Sequence, residues 1–167
     1  MMFRAIAILS IFLSVLMSMT VKATTMASTL QSELNRIGVK AFTASDYRPG
    51  NVKHIVLFRY AESVTPAQKQ AIISRFLALT DSKRAGKPYI VDITTGTQNS
   101  GEGLSGGYTQ AFIVTFRSEG DRNFYVGTPF VDSPNDYDLN HDAFKQFVGP
   151  YLADKNGVLV FDFTASE

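Results

Sequence analysis

The chain has 167 residues, enough for one domain with a well-formed hydrophobic core. Its net charge is only +1 and its basic residues are scattered, so the composition argues against a nucleic-acid-binding protein. Because the chain has no cysteine, disulfides, thiolate metal sites and cysteine nucleophiles are excluded. Two histidines are too few for a multi-histidine metal site, and we expect neither a metal nor a cofactor.

Residues 1–23 have the pattern of a secretory signal peptide. Arg4 precedes an uncharged apolar run over residues 5–21, and Val21-Lys22-Ala23 supplies the small residues that signal peptidase requires. A membrane anchor is the alternative, but the run is short for a membrane span and is interrupted by serines. We therefore expect cleavage, no stable membrane anchor afterwards, and a secreted or periplasmic mature protein.

Residues 24–51 read as a linker with a short helix. A capping box over residues 28–31 predicts the start of this helix, and Gly38 can end it. Residues 39–42 are a candidate edge strand. The apolar residues of the predicted helix share one face, namely Leu30, Leu34 and Ile37.

Residues 52–165 form the main domain, in which strand and helix signals alternate. The strands are predicted over 52–60, 89–96, 106–116 and 157–163, and the helices over 66–79, 119–126 and 141–152, with a charged turn at 81–87. The order βαββαβ is that of the ferredoxin-like fold, an α+β arrangement in which helices cover one face of an antiparallel sheet. The short interval between the second and third strands predicts that they are antiparallel neighbours.

The strand over residues 106–116 carries bulky apolar side chains on both faces. Phe112, Val114 and Phe116 point one way and Ala111 and Ile113 the other, and neither face has a charge. Such a strand belongs in the interior of a sheet with both faces covered. Helices can cover one face, so we expect a second copy of the chain to cover the other.

Several segments, taken in order, resemble the stress-responsive A/B barrel (Dabb) family. They are VKHIVLF (52–58), GTQNSGEGL (96–104), GYTQAFIVTFRS (107–118), HDAFKQFV (141–148) and VFDF (160–163). The resemblance implies a homodimer in which two ferredoxin-like sheets pack face to face as a dimeric α/β barrel. It also implies a pocket between each sheet and its own helices.

The resemblance extends to candidate catalytic residues. His141 matches the histidine that acts as general base in a plant polyketide-cyclising member of the family, and Tyr125 matches the tyrosine that assists it. Gln110 stands where that member carries a histidine, so one possible proton carrier is replaced by a hydrogen-bonding amide. This chain also has an insertion over residues 131–140 and an N-terminal segment without counterpart in the bare domain.

Polar residues that face the helices are candidate ligand contacts. His54 can orient an oxygen or exchange a proton near neutral pH, although a hydrogen-bonded structural histidine is the simpler reading. His141 can likewise complete its helix without any chemical role. We expect Tyr125 and His141 to form the catalytic pair, if there is one, and the ligand to contact His54, Gln110, Phe58 and Phe112.

Two other motifs are rejected. Residues 136–140 resemble the opening of a calcium-binding loop, but His141 and Phe147 occupy the positions that require glycine and glutamate. The glycine-rich stretch over 101–107 precedes a strand rather than a helix, so it does not predict a phosphate site.

Three functions fit these observations. The first is an exported homodimer that binds a small apolar ligand with a phenolic or carbonyl group. The second is a cofactor-free lyase or cyclase of the polyketide-cyclase type that uses Tyr125 and His141. The third is a structural, stress-associated dimer whose interior is filled by its own side chains. The presence of a cavity separates the third from the others.

Overall fold

The computed structural model describes residues 25–166, and the predicted signal peptide lies outside this range. The helices are α1 (Met26–Ile37), α2 (Val39–Phe42), α3 (Pro66–Leu77), α4 (Glu119–Val126) and α5 (Leu139–Val148). The strands are β1 (Pro49–Phe58), β2 (Lys83–Arg84), β3 (Lys87–Pro88), β4 (Ile90–Thr97), β5 (Gln110–Ser118) and β6 (Val158–Thr164). Within the described residues, none of the helices is both long enough and apolar enough to span a membrane.

Four of the strands form one antiparallel sheet in the order β4-β5-β1-β6. β5 therefore lies between two neighbours, as its apolar residues on both faces predict. The pairing of β4 with β5 also confirms the predicted antiparallel neighbours. With helices packed on one face, the architecture is the predicted α+β, ferredoxin-like βαββαβ fold.

The hydrophobic core lies between the sheet and helices α3, α4 and α5. Alternate residues of β1 and β5 are buried against these helices, as the period-2 pattern predicts. Aromatic rings dominate this layer, and the Phe76 and Phe112 rings stack with centroids 3.9 Å apart. The buried residues include Val52, Val56, Phe58, Ile72, Phe76, Phe112, Val114, Phe116, Phe144 and Val148.

The opposite face of the sheet is apolar and uncovered in a single chain. We call this the outer face, and it consists of Ile55, Leu57, Ala111, Ile113, Leu159, Phe161 and Phe163. Phe161 on the edge strand β6 is 59% exposed, and it lies directly opposite Ile55 in the β1–β6 ladder.

The structure corrects two predictions in the N-terminal segment. Thr25, and not Ser28, caps α1, because the Thr25 hydroxyl accepts a hydrogen bond from the Ser28 amide at 3.2 Å. Residues 39–42 form a helical turn instead of an edge strand. Gly38 has a φ of 79°, which turns the chain sharply so that α2 follows α1 directly.

Other boundaries differ from the prediction for local reasons. β5 begins at Gln110, because Gly106 and Gly107 have φ values of 61° and 84° and form a turn. The predicted charged turn at 81–87 is replaced by a short hairpin of β2 and β3 that extends to Pro88. α5 begins at Leu139, since the Asp138 carboxylate caps it by accepting from the Asn140 amide at 2.8 Å. The helix ends at Val148, and residues 149–151 continue as a 3-10 turn.

Candidate functional site

A cavity of about 470 Å³ lies between the sheet and α5, bordered by strands β1 and β6. Its walls are mostly apolar and include Val56, Phe58, Phe76, Phe144, Val148, Leu152, Val158 and Val160. The polar residues that line it are His54, His141, Lys145, Asp162 and Thr128. An apolar cavity with a few convergent polar groups is typical of a small-molecule site.

His54 is oriented by a carboxylate on the neighbouring strand. In the β1–β6 ladder it lies directly opposite Asp162, and its Nδ1 is 2.7 Å from Asp162 Oδ1. Arg122 on α4 donates from Nη1 to the other carboxylate oxygen. Burial opposes the charge of Asp162, but the hydrogen bonds and charges of His54 and Arg122 outweigh it and hold its pKa below the ordinary value.

This hydrogen bond assigns the roles of the two nitrogens of His54. An ionised carboxylate can only accept, so Nδ1 of His54 is the donor. Nε2 is then the nitrogen that remains for contact with a ligand in the cavity.

His141 is held in the first turn of α5, which the Asp138 cap positions. Its Nδ1 donates to the backbone oxygen of Tyr125 at 2.6 Å, so Nε2 carries the lone pair. Burial lowers the pKa of His141 to about 3, although the hydrogen bond to Tyr125 acts in the other direction. At neutral pH the His141 imidazole is therefore uncharged.

Tyr125 lies between the two histidines. Its ring stacks on His141 with centroids 3.8 Å apart and planes inclined by 16°, and it meets the His54 ring edge-on at 5.6 Å. The side chain is fully buried, and its hydroxyl has no hydrogen-bond partner among residues 25–166. Burial, with a smaller contribution from Asp138, raises the pKa of Tyr125 well above its ordinary value. The phenol is therefore neutral and acts on the histidines through its ring.

The structure brings together only some of the predicted ligand contacts. Phe58 lines the cavity with the two histidines, whereas Phe112 is packed behind it against Phe76. Gln110 lies elsewhere. Its amide donates to Thr95 Oγ1 at 2.7 Å and to the Gly96 oxygen at 2.9 Å, and it borders a separate depression at the β4–β5 end of the sheet that contains neither histidine.

Sequence reasoning missed Asp162 and Arg122. Asp162 is the charged residue in an apolar strand, and it lies on the same face of that strand as Val158 and Val160, which face the helices. A carboxylate on a predicted core face was the signal that could have identified it, because buried charges require partners. Arg122 gave no comparable signal, since arginine is common in helices.

Two acidic residues of the 131–140 insertion, Asp136 and Asp138, make structural contacts. Asp136 forms a salt bridge with Lys40 at 2.6 Å, and Asp138 caps α5 and accepts from the Tyr89 hydroxyl. Over residues 25–166, there is no cluster of three or more histidine, aspartate or glutamate side chains suited to a metal ion.

Comparison with solved structures finds the same fold in other proteins. An Arabidopsis thaliana protein is 26% identical, with the match covering 70% of this chain and 96% of that one at a TM-score of 0.54. Hydroxynitrile lyase from Passiflora edulis is 25% identical, covering 71% and 96% at a TM-score of 0.53. A dimeric ferredoxin-like protein of unknown function from Jannaschia sp. CCS1 is 17% identical, covering 70% and 100% at a TM-score of 0.51.

Sequence comparison gives the family directly. No curated protein matches the chain significantly. The family model described as the stress responsive A/B barrel domain matches residues 52–165, which include every strand of the main sheet except the start of β1. The chain therefore belongs to the stress-responsive A/B barrel domain (Dabb) family.

Proposed function

We propose that the protein is an exported homodimer that binds a small, largely apolar ligand carrying a phenolic or carbonyl oxygen. The observation that carries this proposal is the cavity of about 470 Å³, whose apolar walls meet two histidines that are each tied to the protein through Nδ1. A purely structural dimer would have filled this space with its own side chains, since protein interiors are close-packed.

The hydrogen-bonding state of the histidines favours a ligand that donates. With Nδ1 engaged, the neutral imidazole of His141 presents an accepting Nε2 to a ligand, and Nε2 of His54 can accept in the same way whenever that ring is uncharged. Lys145 lines the cavity too, but its Nζ already donates to the Val126 oxygen at 3.1 Å and to Thr128 Oγ1 at 2.9 Å. A phenolic hydroxyl therefore fits the site better than an isolated carbonyl oxygen.

The binding proposal is tested with 4-hydroxybenzaldehyde, and with benzaldehyde as the matched compound that lacks the hydroxyl. We expect tighter binding of the phenol, with shifts of both imidazole signals in NMR titrations. Val160→Phe projects a larger side chain into the cavity from a position that is 50% exposed, and it should weaken binding by about tenfold or more. Val91→Phe, on the opposite edge strand and 44% exposed, is the control and should bind normally. Equal affinity of the wild type and Val160→Phe would place the ligand elsewhere.

A cofactor-free lyase is the second candidate. It is favoured by the two histidines that line an apolar cavity, and by the similarity to a hydroxynitrile lyase. In such a reaction a histidine Nε2 takes the hydroxyl proton of a cyanohydrin. The bond to the cyano carbon then breaks, a carbonyl forms, and the departing cyanide takes that proton from the histidine to give hydrogen cyanide.

The two histidines are not equivalent as proton acceptors. The Asp162 carboxylate stabilises positive charge on His54, whereas burial opposes positive charge on His141. We therefore assign proton transfer to His54 in this second candidate. His141, supported by the stacked Tyr125 ring, then accepts a hydrogen bond from the substrate.

The lyase candidate predicts release of benzaldehyde from mandelonitrile, followed by ultraviolet absorbance against a buffer blank. His54→Asn should lower the rate by roughly 10² or more, and His141→Gln by less. The two substitutions thus separate the roles of the histidines. A wild-type rate no higher than the blank would eliminate this candidate and leave the binding function in place.

The homodimer is inferred from the uncovered outer face. Contiguous apolar surface of this kind marks an interaction site in soluble proteins, and two sheets can pack face to face about 10 Å apart.

Phe161→Asp should yield a monomer, because it would bury a charge in the proposed interface. The single chain should tolerate the substitution, since Phe161 is 59% exposed there. Light scattering after size exclusion measures the mass. Leu139→Asp, 57% exposed on α5, is the control and should remain dimeric. A monomeric wild type would refute the interface.

Export is inferred from the basic, apolar and small-residue pattern of residues 1–23. The mature protein should begin near Thr24 and be found outside the cytoplasm. Mass spectrometry of the protein purified from fractionated cells tests this. An intact Met1 terminus in the cytoplasmic fraction would contradict export.

A further inference from the structure

We propose that the N-terminal extension positions the histidine of the site through a chain of hydrogen bonds. The extension is residues 25–51, which precede the segment matched to the Dabb family. The chain of hydrogen bonds runs from Phe42 through Asn123, Arg122 and Asp162 to His54. This inference rests on the proposed function only in treating His54 as part of the site, and its test requires no ligand.

The extension is docked on the start of α4. The amide of Glu119 donates to the Arg48 oxygen and that of Gly120 to the Tyr47 oxygen, each at 3.1 Å. Amides in the first turn of a helix have no partner within the helix, so the extension satisfies them. A Cβ at residue 120 would overlap the backbone oxygen of Ala44, which means that this contact requires glycine.

Asn123 joins the extension to the arginine of the site. The side chain is 5% exposed, and its Nδ2 donates to the Phe42 oxygen at 2.8 Å. Its Oδ1 accepts from Arg122 Nε at 2.9 Å. The nitrogen of this buried amide therefore bonds to α2, and its oxygen bonds to the arginine of the site.

Arg122 carries the connection to the carboxylate. Its Nε is held by Asn123, its Nη1 donates to Asp162, and its Nη2 lies 3.7 Å from Glu119. Three contacts fix the guanidinium plane. Because the fork of an arginine is rigid, fixing Nε also fixes the direction from which Nη1 reaches the carboxylate.

Asp162 needs this second partner to stay directed at His54. It lies on the edge strand β6, and its side chain is 23% exposed, so solvent competes for the carboxylate. Arg122 occupies one oxygen and leaves the other for Nδ1 of His54. The titratable and charged groups around His54 are Asp162 on β6, Arg122 and Tyr125 on α4, and His141 and Lys145 on α5. Of these, only Asp162 accepts a hydrogen bond from the His54 ring.

The experiment measures the tautomer of neutral His54 by long-range ¹H–¹⁵N NMR. The chain has two histidines, so His54→Asn assigns the signals. The wild type should be mostly in the Nδ1–H form. Asn123→Ala and Arg122→Met should each lower the ratio of the Nδ1–H to the Nε2–H form by roughly tenfold, the effect of weakening one charge-assisted hydrogen bond. If Asn123→Ala does not fold, Asn123→Ser replaces it, since serine is too short to bridge both partners.

Lys40→Ala is the matched control. Lys40 also ties the extension to the main domain, through Asp136, but it is outside the proposed chain of hydrogen bonds. The His54 tautomer should remain as in the wild type. If Asn123→Ala lowers the melting temperature without changing the tautomer ratio, Asn123 only docks the extension and the proposal is wrong. A changed tautomer ratio in Arg122→Met but not in Asn123→Ala would also overturn the proposal, because Arg122 would then position Asp162 without help from the extension. Failure of ligand binding in the wild type would leave this result unaffected.

Discussion

The partly buried contact of Asp162 with His54 and Arg122 is the constraint on which the site depends. It joins the edge strand β6 to the inner strand β1 and to helix α4, all of which border the cavity or its back wall. Removing either partner would leave the Asp162 carboxylate without one of the two side chains that hold it. The same contact fixes which nitrogen of His54 faces a ligand, so it links the stability of the fold to the chemistry of the cavity.

The two histidines of the chain acquire different properties from different surroundings. His54 contacts a carboxylate, which is a partner for the ring when a proton is transferred to it. His141 contacts a backbone oxygen and the face of Tyr125, and burial keeps it neutral with a pKa of about 3. A site with one histidine able to take up charge and one held neutral can receive a proton and accept a hydrogen bond at the same time. Tyr125 contributes by packing between the rings, since its hydroxyl is fully buried.

Much of the sheet could be predicted from side-chain alternation, because a period of two is a strong signal. In β1 and β5 the side chains of one face are consistently more buried than those of the other. His54 and Phe58 lie on the face that the helices cover, as this alternation predicts. Residues 39–42 were mistaken for a strand because Val39 and Phe42 are compatible with either a helix or a strand. The contact of this segment with α4, which only the folded structure shows, favours the helical turn.

The alternation of side chains predicts that Gln110 lies on the same face of the sheet as His54, but it does not predict how far apart the two residues lie along the strands. Gln110 lies opposite Phe58, four residues along β1 from His54, and so lines a different depression. Asp162 was missed because its partners are distant in sequence.

The two faces of β6 border different parts of the molecule, the cavity and the outer face. Val160 and Asp162 face the cavity, while Phe161, which lies between them in sequence, faces outward. β6 is an edge strand with a single neighbour, so within one chain only β1 restrains it on the sheet. A second copy packed on the outer face would bury Phe161 and restrict the motion of the strand. It would thereby hold Asp162 against His54 from the opposite side of the sheet to Arg122. The extension and the dimer would then act on the same carboxylate, one through hydrogen bonds and the other through packing.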